Sequence, residues 1–271
     1  MIDYFEPDKG SLELISQRAR KHLLEMIYES NSPHIGSCLS VIDILVAAYS
    51  LSDYSANTTN SRHNIILSKG HAAAALYAVF IALNKIPEST QNTYSINGSN
   101  LYGHVDHSAA NEIPLTTGSL GHGLPFGVGL ALSSRMKEEN SKKTIVIMSD
   151  GELDEGTTWE SLLIANHFKL ENLIIVVDRN RLQSIRGTEE TIKLEPLRSK
   201  FLSFGWEVLE VDGHSLPDLL VNLQVTEGPK CLIANTTKGK GVSFMENQTL
   251  WHYRSPSEIE FNSALSEILG S

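Results

Sequence analysis

The residues whose chemistry is easiest to interpret follow two apolar runs of the sequence. Asp150-Gly151 comes just after the run Thr144–Met148, and Asn180 comes just after the run Leu173–Val177. The thirty residues between Asp150 and Asn180 leave room for one crossover helix, so both side chains can lie beyond the carboxyl ends of neighbouring parallel strands. A carboxylate and an amide oxygen suit a hard cation such as Mg²⁺ that also binds phosphate. Gly151 and the helix after it let backbone N–H groups approach the anion. The pattern therefore predicts a metal and diphosphate site.

The same residues have a plainer interpretation. Asp-Gly is a common turn signal, and Asn180 would then cap a loop. The apolar run before each segment, the helix after Gly151 and the spacing between the segments favour the functional interpretation.

Two other patterns imitate known sites. Gly121-His122-Gly123 with Gly127 resembles a dinucleotide loop, but the polar Thr116-Thr117 precede it where a buried strand is required. The sequence from His104 to His107 suggests zinc, but no third ligand follows at a suitable spacing. We favour neither pattern.

The elements that must position these residues alternate between strands and helices, which predicts an α/β fold with a doubly wound, mostly parallel sheet flanked by helices. The predicted strands are Asn64–Ser68, Thr144–Met148, Leu173–Val177, Trp206–Val211 and Cys231–Ala234. The predicted helices include Leu12–Glu29, Ser40–Tyr49, Ala72–Leu83, Leu216–Val225 and Ser257–Leu269, the last with Ser257 as its cap. Composition predicts a surface loop at Ser52–Ser61, and the long irregular segment 87–117 is typical of a functional loop. No repeat or linker is evident, so residues 1–271 are expected to form one domain.

The bulk composition limits the classes of function. A formal charge of −10 without Lys/Arg runs argues against a nucleic-acid partner. The start of the chain lacks the features of a signal peptide, and no uninterrupted apolar run has the length of a membrane span. The cysteines, Cys38 and Cys231, have no metal-ligand spacing and indicate reduced thiols in a cytoplasmic protein.

Residues 150–156 and 178–183 together resemble the thiamine-diphosphate motif that begins Gly-Asp-Gly and ends in Asn, with Ser149 in place of the first glycine. The resemblance implies that Asp150, Asn180 and the backbone carbonyl of Leu182 bind Mg²⁺, or Ca²⁺ or Mn²⁺ in its place. Gly151 and Glu152 are expected beside the diphosphate.

Four further segments resemble the transketolase family more narrowly, and they occur in the family's order. They are Ser32-Pro33-His34-Ile35-Gly36, Leu67-Ser68-Lys69-Gly70-His71, Gly103-His104 and Thr117-Gly118-Ser119-Leu120-Gly121-His122-Gly123. A looser match surrounds Trp251-His252. The remaining histidines are expected to be surface or hydrogen-bonded core residues: His22, His63, His167 and His214.

The resemblance implies roles for the matching residues. Four histidines are expected to be catalytic: His34, His71, His104 and His252. His71 and His252 are also expected to contact the cofactor, together with Gly118, Ser119 and Leu120 at its ring system. Neutral imidazoles can donate or accept hydrogen bonds at the substrate's carbonyl and hydroxyl groups.

The resemblance also implies a reaction and a partner. The family transfers a two-carbon ketol unit from a ketose or ketose phosphate to an aldehyde. Its members normally carry a second, pyrimidine-binding domain, which we expect on a separate chain in a hetero-oligomer, such as a heterotetramer. Glu155, Trp159 and Glu160 would then lie near the interface. The alternatives are a 2-oxo acid dehydrogenase-type or 1-deoxyxylulose-synthase-like subunit, or a non-catalytic regulatory module that binds thiamine diphosphate.

Overall fold

The computed structural model describes residues 9–59, 62–139, 141–224 and 228–270. The strands in this part of the chain are β1 (Asn64–Leu67), β2 (Thr144–Ser149), β3 (Leu173–Arg179), β4 (Glu207–Asp212) and β5 (Lys230–Asn235). The α-helices are α1 (Lys9–Ser30), α2 (Ile35–Thr59), α3 (Ala73–Ala82), α4 (Gly123–Met136), α5 (Gly156–His167), α6 (Thr188–Thr191), α7 (Leu197–Ser203), α8 (Leu216–Gln224) and α9 (Glu258–Leu269). Short 3₁₀ turns occupy Gly70–Ala72, Glu88–Thr93, Gly151–Asp154 and Thr249–His252.

The strands form one sheet in the order β1-β2-β3-β5-β4, and each neighbouring pair is parallel. Alternate side chains enter two cores, because successive residues of a strand point to opposite faces. Ile145 and Ile147 join the core formed with α1, α2, α3 and α8, whereas Val146 and Met148 join the core formed with α4, α5 and α7. The predicted doubly wound parallel α/β fold is confirmed.

Helix α2 corrects the sequence prediction at its C-terminal half. Its residues 52–59 are helical, where composition had predicted a surface loop that also covered residues 60 and 61, which lie outside the described residues. The polar groups are satisfied inside the fold: the His63 backbone N–H donates to Ser52 Oγ at 3.0 Å, and Ser55 Oγ pairs with His63 Nε2 at 3.0 Å. Buried serines with such partners cost little, so polarity here does not mark a loop.

The segment Ile35–Asn57 of α2 is long and apolar enough to cross a membrane, contrary to the expectation that no run had that length. Inside the structure, 94% of its apolar window is buried. It therefore serves as the central helix of the core on its side of the sheet.

Helix α4 packs closely on β2 because it presents small residues to the strand. A Cβ atom added to Gly127 would lie 2.5 Å from Val146 Cγ2. Gly129, two residues along the same helix, has no neighbouring atom within 4 Å of the same construction. The two glycines therefore form a matched pair, one at a contact and one facing open space.

We expect Gly127→Ala to destabilise the fold by about 1–3 kcal/mol, because the branched Val146 side chain in the core cannot move aside freely. Gly129→Ala should instead stabilise it by about 0.5–1 kcal/mol, since alanine loses less backbone entropy in a helix. Urea unfolding of both variants measures the difference, and equal midpoints would contradict this packing.

Candidate cofactor site

Asp150 and Asn180 lie at the same edge of the sheet. Strands β2 and β3 are hydrogen-bonded neighbours, and their last paired residues are Ser149 and Asp178. A cavity of about 310 Å³ opens at this edge. It is lined by His34, Ser37, Lys69, His71, Gly118, Leu120, Ser149, Asp150, Gly151, Asn180, Leu182, Gln183, Ser184, His252 and Tyr253.

The Asp150 carboxylate is held by three donors. Gly151 N donates to its Oδ1 at 2.8 Å, while Arg181 N and Arg179 Nη1 donate to its Oδ2 at 2.6 Å and 3.2 Å. Arg181 adopts a left-handed backbone with φ 67°, which turns its N–H toward Asp150. Burial and the neighbouring Asp178 carboxylate raise the pKa of Asp150 to about 6, against the opposing effect of Arg179.

Asn180 and Leu182 provide the other two oxygen atoms named from the sequence. Asn180 Oδ1 accepts from Leu182 N at 3.1 Å, and both residues line the cavity with Asp150. A carboxylate, an amide oxygen and a carbonyl match the oxygen ligands that Mg²⁺ prefers. Among the described residues, no group of three or more His, Cys, Asp and Glu side chains could hold a metal, so the zinc pattern at His104 and His107 finds no support there.

The four histidines singled out in the sequence come together around this cavity. The His34 ring lies 5.3 Å from the His71 ring, 6.1 Å from His104 and 5.0 Å from His252, measured between centroids. His71 and His252 are 5.9 Å apart. The residues come from segments separated by most of the chain, so their convergence is a property of the fold.

The backbone of His34 joins the two ends of this cluster. His34 has a φ of 77°, unusual for a residue with a side chain, and its N–H donates to the His252 carbonyl at 2.8 Å. This bond places the loosely matched Trp251-His252 segment beside the His34 loop. The Tyr253 ring follows, 6.3 Å from the His34 ring.

Burial keeps these imidazoles neutral. Desolvation lowers the pKa of His34 to about 4, with further lowering by His104, Lys238 and Lys69. Desolvation, followed by Lys238 and His34, lowers the pKa of His252 to about 3. The pKa of His71 is also well below its ordinary value, mainly because of burial. Each of these rings can therefore accept or donate a proton near neutral pH.

A buried ion pair that the sequence did not reveal lies at the base of the cavity. Lys69 Nζ is 2.5 Å from Asp178 Oδ2, and both side chains are fully buried. Asp178 also accepts from Ser40 Oγ at 2.6 Å and from the Thr236 hydroxyl, while Lys69 donates to the Ser37 carbonyl at 3.1 Å. Lys69 was within a quoted motif, but its charge became informative only once Asp178 was seen opposite it.

A second buried cation lies behind the cavity wall. Lys238 Nζ donates to the carbonyls of Leu182 at 3.4 Å and Gln183 at 2.9 Å, and lies 3.2 Å from His252 Nδ1. Burial and the charge of Lys69 lower its pKa to about 8. None of the described carboxylates forms an ion pair with it.

Residues 13–262 match the family of the transketolase thiamine-diphosphate-binding domain. The chain belongs to the transketolase family. One of the two subunits of an apulose-4-phosphate transketolase from Phocaeicola vulgatus is 38% identical over 95% of this chain and 94% of its own length. A 6-deoxy-6-sulfo-D-fructose transketolase subunit of Clostridium sp. is 34% identical, covering 92% of this chain and 93% of that protein.

Larger relatives match with part of their length. Human transketolase is 32% identical over 93% of this chain, but the match covers 41% of the human protein. The crystal structure of Campylobacter jejuni transketolase superposes with a TM-score of 0.84 at 25% identity, over 97% of this chain and 43% of that one. The chain thus spans about two fifths of these transketolases.

The glycine loop of this transketolase-family domain lies only partly at the cavity. Gly118 and Leu120 line it, whereas Ser119 is exposed and is not a lining residue. A Cβ atom at Gly118 would meet nothing closer than His104 Cδ2 at 3.6 Å, so the loop offers open space for a ligand. His122 is exposed, with its Nδ1 3.1 Å from the Leu120 carbonyl.

Glu152 does not line the cavity, contrary to the expectation that it lies beside the diphosphate. Its carboxylate is fully buried and accepts from the Ser68 hydroxyl, from Gly121 N at 2.8 Å and from Ser149 N at 3.3 Å. Burial raises its pKa. The side chain therefore braces the loops under the cavity.

The other histidines are accounted for by structure. His22 is buried and pairs with Gln91 Oε1 at 2.6 Å, His63 is buried with serine partners, and His167 is exposed. His214 bonds to Asp43 and to a backbone N–H.

These residues fit thiamine diphosphate. Lys69 and Lys238 place positive charge at the cavity, and the ammonium of Lys238 lacks a carboxylate partner in the described structure. A buried cation without a countercharge is costly, and a bound diphosphate would supply one. The oxygen atoms of Asp150, Asn180 and Leu182 at the opposite wall suit the accompanying cation.

The depressed pKa of His34 predicts a specific pH dependence of stability. Because its folded pKa of about 4 lies below the ordinary 6.5, the unfolded chain binds the proton first as the pH falls. The contribution of His34 is complete above pH 6.5 and is lost between 6.5 and about 4. Urea unfolding should therefore show that wild type loses more stability over this interval than His34→Gln, and parallel curves would contradict the neutral, buried imidazole.

Proposed function

We propose that the chain is a thiamine-diphosphate- and Mg²⁺-dependent transketolase subunit that transfers a two-carbon ketol unit from a ketose or ketose phosphate to an aldehyde. The convergence of His34, His71, His104 and His252 on the cavity beside Asp150 and Asn180 carries this proposal. When bound, thiamine diphosphate supplies a carbanion that attacks a carbonyl carbon and an electron sink for the carbon–carbon bond that breaks.

Asp150, Asn180 and the Leu182 carbonyl would hold Mg²⁺, with Ca²⁺ or Mn²⁺ able to take its place. Gly151 gives the diphosphate access to backbone near the start of α5, and the ammonium of Lys69 faces the same space. His71, Gly118, Ser119 and Leu120 are proposed as the contacts of the remaining cofactor, with Glu152 acting through the loops that it braces.

The imidazoles would handle protons on the substrate. A neutral ring can donate to a developing alkoxide through one nitrogen and accept a hydroxyl proton through the other. His34 and His252 keep this form across the neutral range because of their low pKa values. Positioned proton transfer of this kind contributes roughly 10²–10⁴-fold to a rate.

The clustered histidines favour this function over the two alternatives. A 2-oxo acid dehydrogenase-type subunit shares the Asp–Asn metal pattern but has no need of four imidazoles around the donor. A module that only binds the cofactor has no need of them either. The named functions of the relatives lie on the same side, since they are transketolases or transketolase subunits.

We further propose that activity requires a separate pyrimidine-domain subunit in a hetero-oligomer, for which a heterotetramer is the proposed form. Support comes from two relatives of nearly the same length that are themselves named as transketolase subunits. The packed helices α4 and α5 also expose apolar side chains: Phe126, Leu163 and Ile164. Glu155 and Glu160 are exposed on the same side of the metal motif, whereas Trp159 packs against Phe201 and Phe204.

The proposed compartment is the cytoplasm, supported by the two free, buried thiols of Cys38 and Cys231. The proposed extent of the cofactor domain is the whole chain, residues 1–271. Proposed substrates are sugars or sugar phosphates, without nucleic acid or membrane involvement.

Removing the proposed metal ligand should uncouple cofactor binding from the metal. We expect Asp150→Asn to weaken Mg²⁺-dependent binding of thiamine diphosphate roughly ten-fold or more, since even outer-shell changes cost 10–100-fold at metal sites. Glu160→Gln, which removes an exposed carboxylate from α5, is the matched control and should bind normally. Calorimetric titration with and without Mg²⁺ measures both, and unchanged affinity in Asp150→Asn would overturn the metal site.

The reaction itself is tested by assaying ketol transfer with thiamine diphosphate and Mg²⁺, first with this chain alone and then in a mixture that also contains the pyrimidine-domain partner. We expect turnover only in the second mixture. In that mixture His104→Gln should lower kcat by roughly 10²–10⁴-fold and leave cofactor affinity unchanged. Robust turnover by the chain alone would refute the split enzyme.

A further inference from the structure

The segment Thr236–Lys240, which follows β5, carries the cation behind the cofactor cavity. Its central residue, Lys238, bonds to the carbonyls of Leu182 and Gln183 and approaches the His252 ring. All three of these contacts line the cavity. A displacement of the Lys238 backbone would therefore alter one metal-ligand carbonyl, one wall carbonyl and one imidazole together.

Successive residues of this segment are tied to different elements of the fold. The Thr236 hydroxyl donates to Asp178, and Gly239 N donates to the Gly36 carbonyl at 2.9 Å. Between and beyond them, Thr237 N donates to His214 Nε2 at 2.9 Å, and the Lys240 carbonyl accepts from Arg20 Nε at 3.4 Å. The last two contacts come from side chains that do not line the cavity.

The bonding of His214 fixes its tautomer. A backbone N–H can only donate, so His214 Nε2 accepts from Thr237 and carries no proton. The proton of the neutral ring is then on Nδ1, which donates to Asp43 Oδ2 at 2.8 Å. A carboxylate on the far nitrogen orients an imidazole in the same way as it does behind a metal-bound histidine.

Asp43 is in turn held by Arg20. The guanidinium donates to Asp43 Oδ1 at 3.0 Å and to Oδ2 at 2.5 Å, a bidentate pair in a largely buried setting. Burial alone would raise the pKa of Asp43, but Arg20 and the bond from His214 hold it below the ordinary range. Arg20 thus connects the carboxylate that orients His214 with the carbonyl of Lys240, on the other side of Lys238.

We propose that Arg20, Asp43 and His214 are positioning residues, a hydrogen-bonded clamp that fixes the Thr236–Lys240 backbone and so sets the Lys238 ammonium against the cofactor cavity. The three belong to α1, α2 and the turn after β4. The sequence indicated only a surface or core role for His214. This inference rests on the proposed function, because it gives the clamp its purpose in binding the diphosphate end of the cofactor.

A double-mutant cycle tests the clamp. The full chain, together with its partner subunit, is titrated with thiamine diphosphate at saturating Mg²⁺ as wild type, His214→Leu, Lys238→Met and the double variant. We expect each single change to weaken binding roughly ten-fold, in the range of one lost buried hydrogen bond to a charged group. The double variant should bind no more than about two-fold more weakly than Lys238→Met, because coupled residues are not additive. Multiplying fold-changes would overturn the clamp.

Two further variants separate positioning from a general loss of structure. His214→Gln keeps an acceptor for Thr237 N and should recover most of the affinity that His214→Leu loses. His22→Gln changes another buried histidine, whose partner is Gln91, and should leave the affinity unchanged even if its Tm falls. Equal losses in His214→Gln and His214→Leu would overturn the proposal.

If His214→Leu fails to fold, Asp43→Asn takes its place in the same cycle, with the same non-additive result expected. Wild-type complex that does not bind thiamine diphosphate would overturn the proposed function and the clamp with it. Wild-type binding with independent, additive variants would overturn the clamp alone.

Discussion

The buried ion pair between Lys69 and Asp178 is the interaction on which the arrangement of the site depends. Two charges removed from water are stable only when their geometry is good and their remaining hydrogen-bonding capacity is used. Here the Ser37 carbonyl and the hydroxyls of Ser40 and Thr236 complete the set. These partners lie on α2 and just after β5, while the pair itself joins the ends of β1 and β3. Satisfying one ion pair therefore fixes four elements relative to one another at the edge of the sheet where the cavity opens.

Much of the fold could be predicted from the sequence because hydrophobic periodicity and element order carry it. Each predicted strand is present with ends shifted by at most two residues, and Ser257 caps the last helix with a full capping box. The failure was the C-terminal half of α2. Serines at positions 52 and 55 were interpreted from composition as loop residues, whereas His63, across the connection to β1, satisfies them inside the protein. That partnership depends on tertiary structure and leaves no local pattern in the sequence.

The site divides in the same way. Histidines in recognisable segments could be named in advance, and the fold brings His34, His71, His104 and His252 together. Glu152, next to the metal motif in sequence, turned away from the cavity because three buried donors require its carboxylate. Lys238 and His214 carried no sequence signal at all, since their significance comes from what lies opposite them. Proximity in sequence to a motif is thus a weaker guide than the electrostatic partners that the fold supplies.

Charge pairing around the cavity explains why an anionic ligand suits it. Asp178 is matched by Lys69, and Asp150 by Arg179, which also pairs with Glu189 and Glu195. Lys238 alone among the cations nearest the wall has only carbonyls and an imidazole around it in the described structure. A diphosphate that shares a divalent cation with Asp150 still keeps net negative charge, so it can serve the metal ligands and Lys238 at once. The placement of one unmatched cation therefore depends on the backbone segment that carries it, and the side chains that anchor that segment affect binding without touching the ligand.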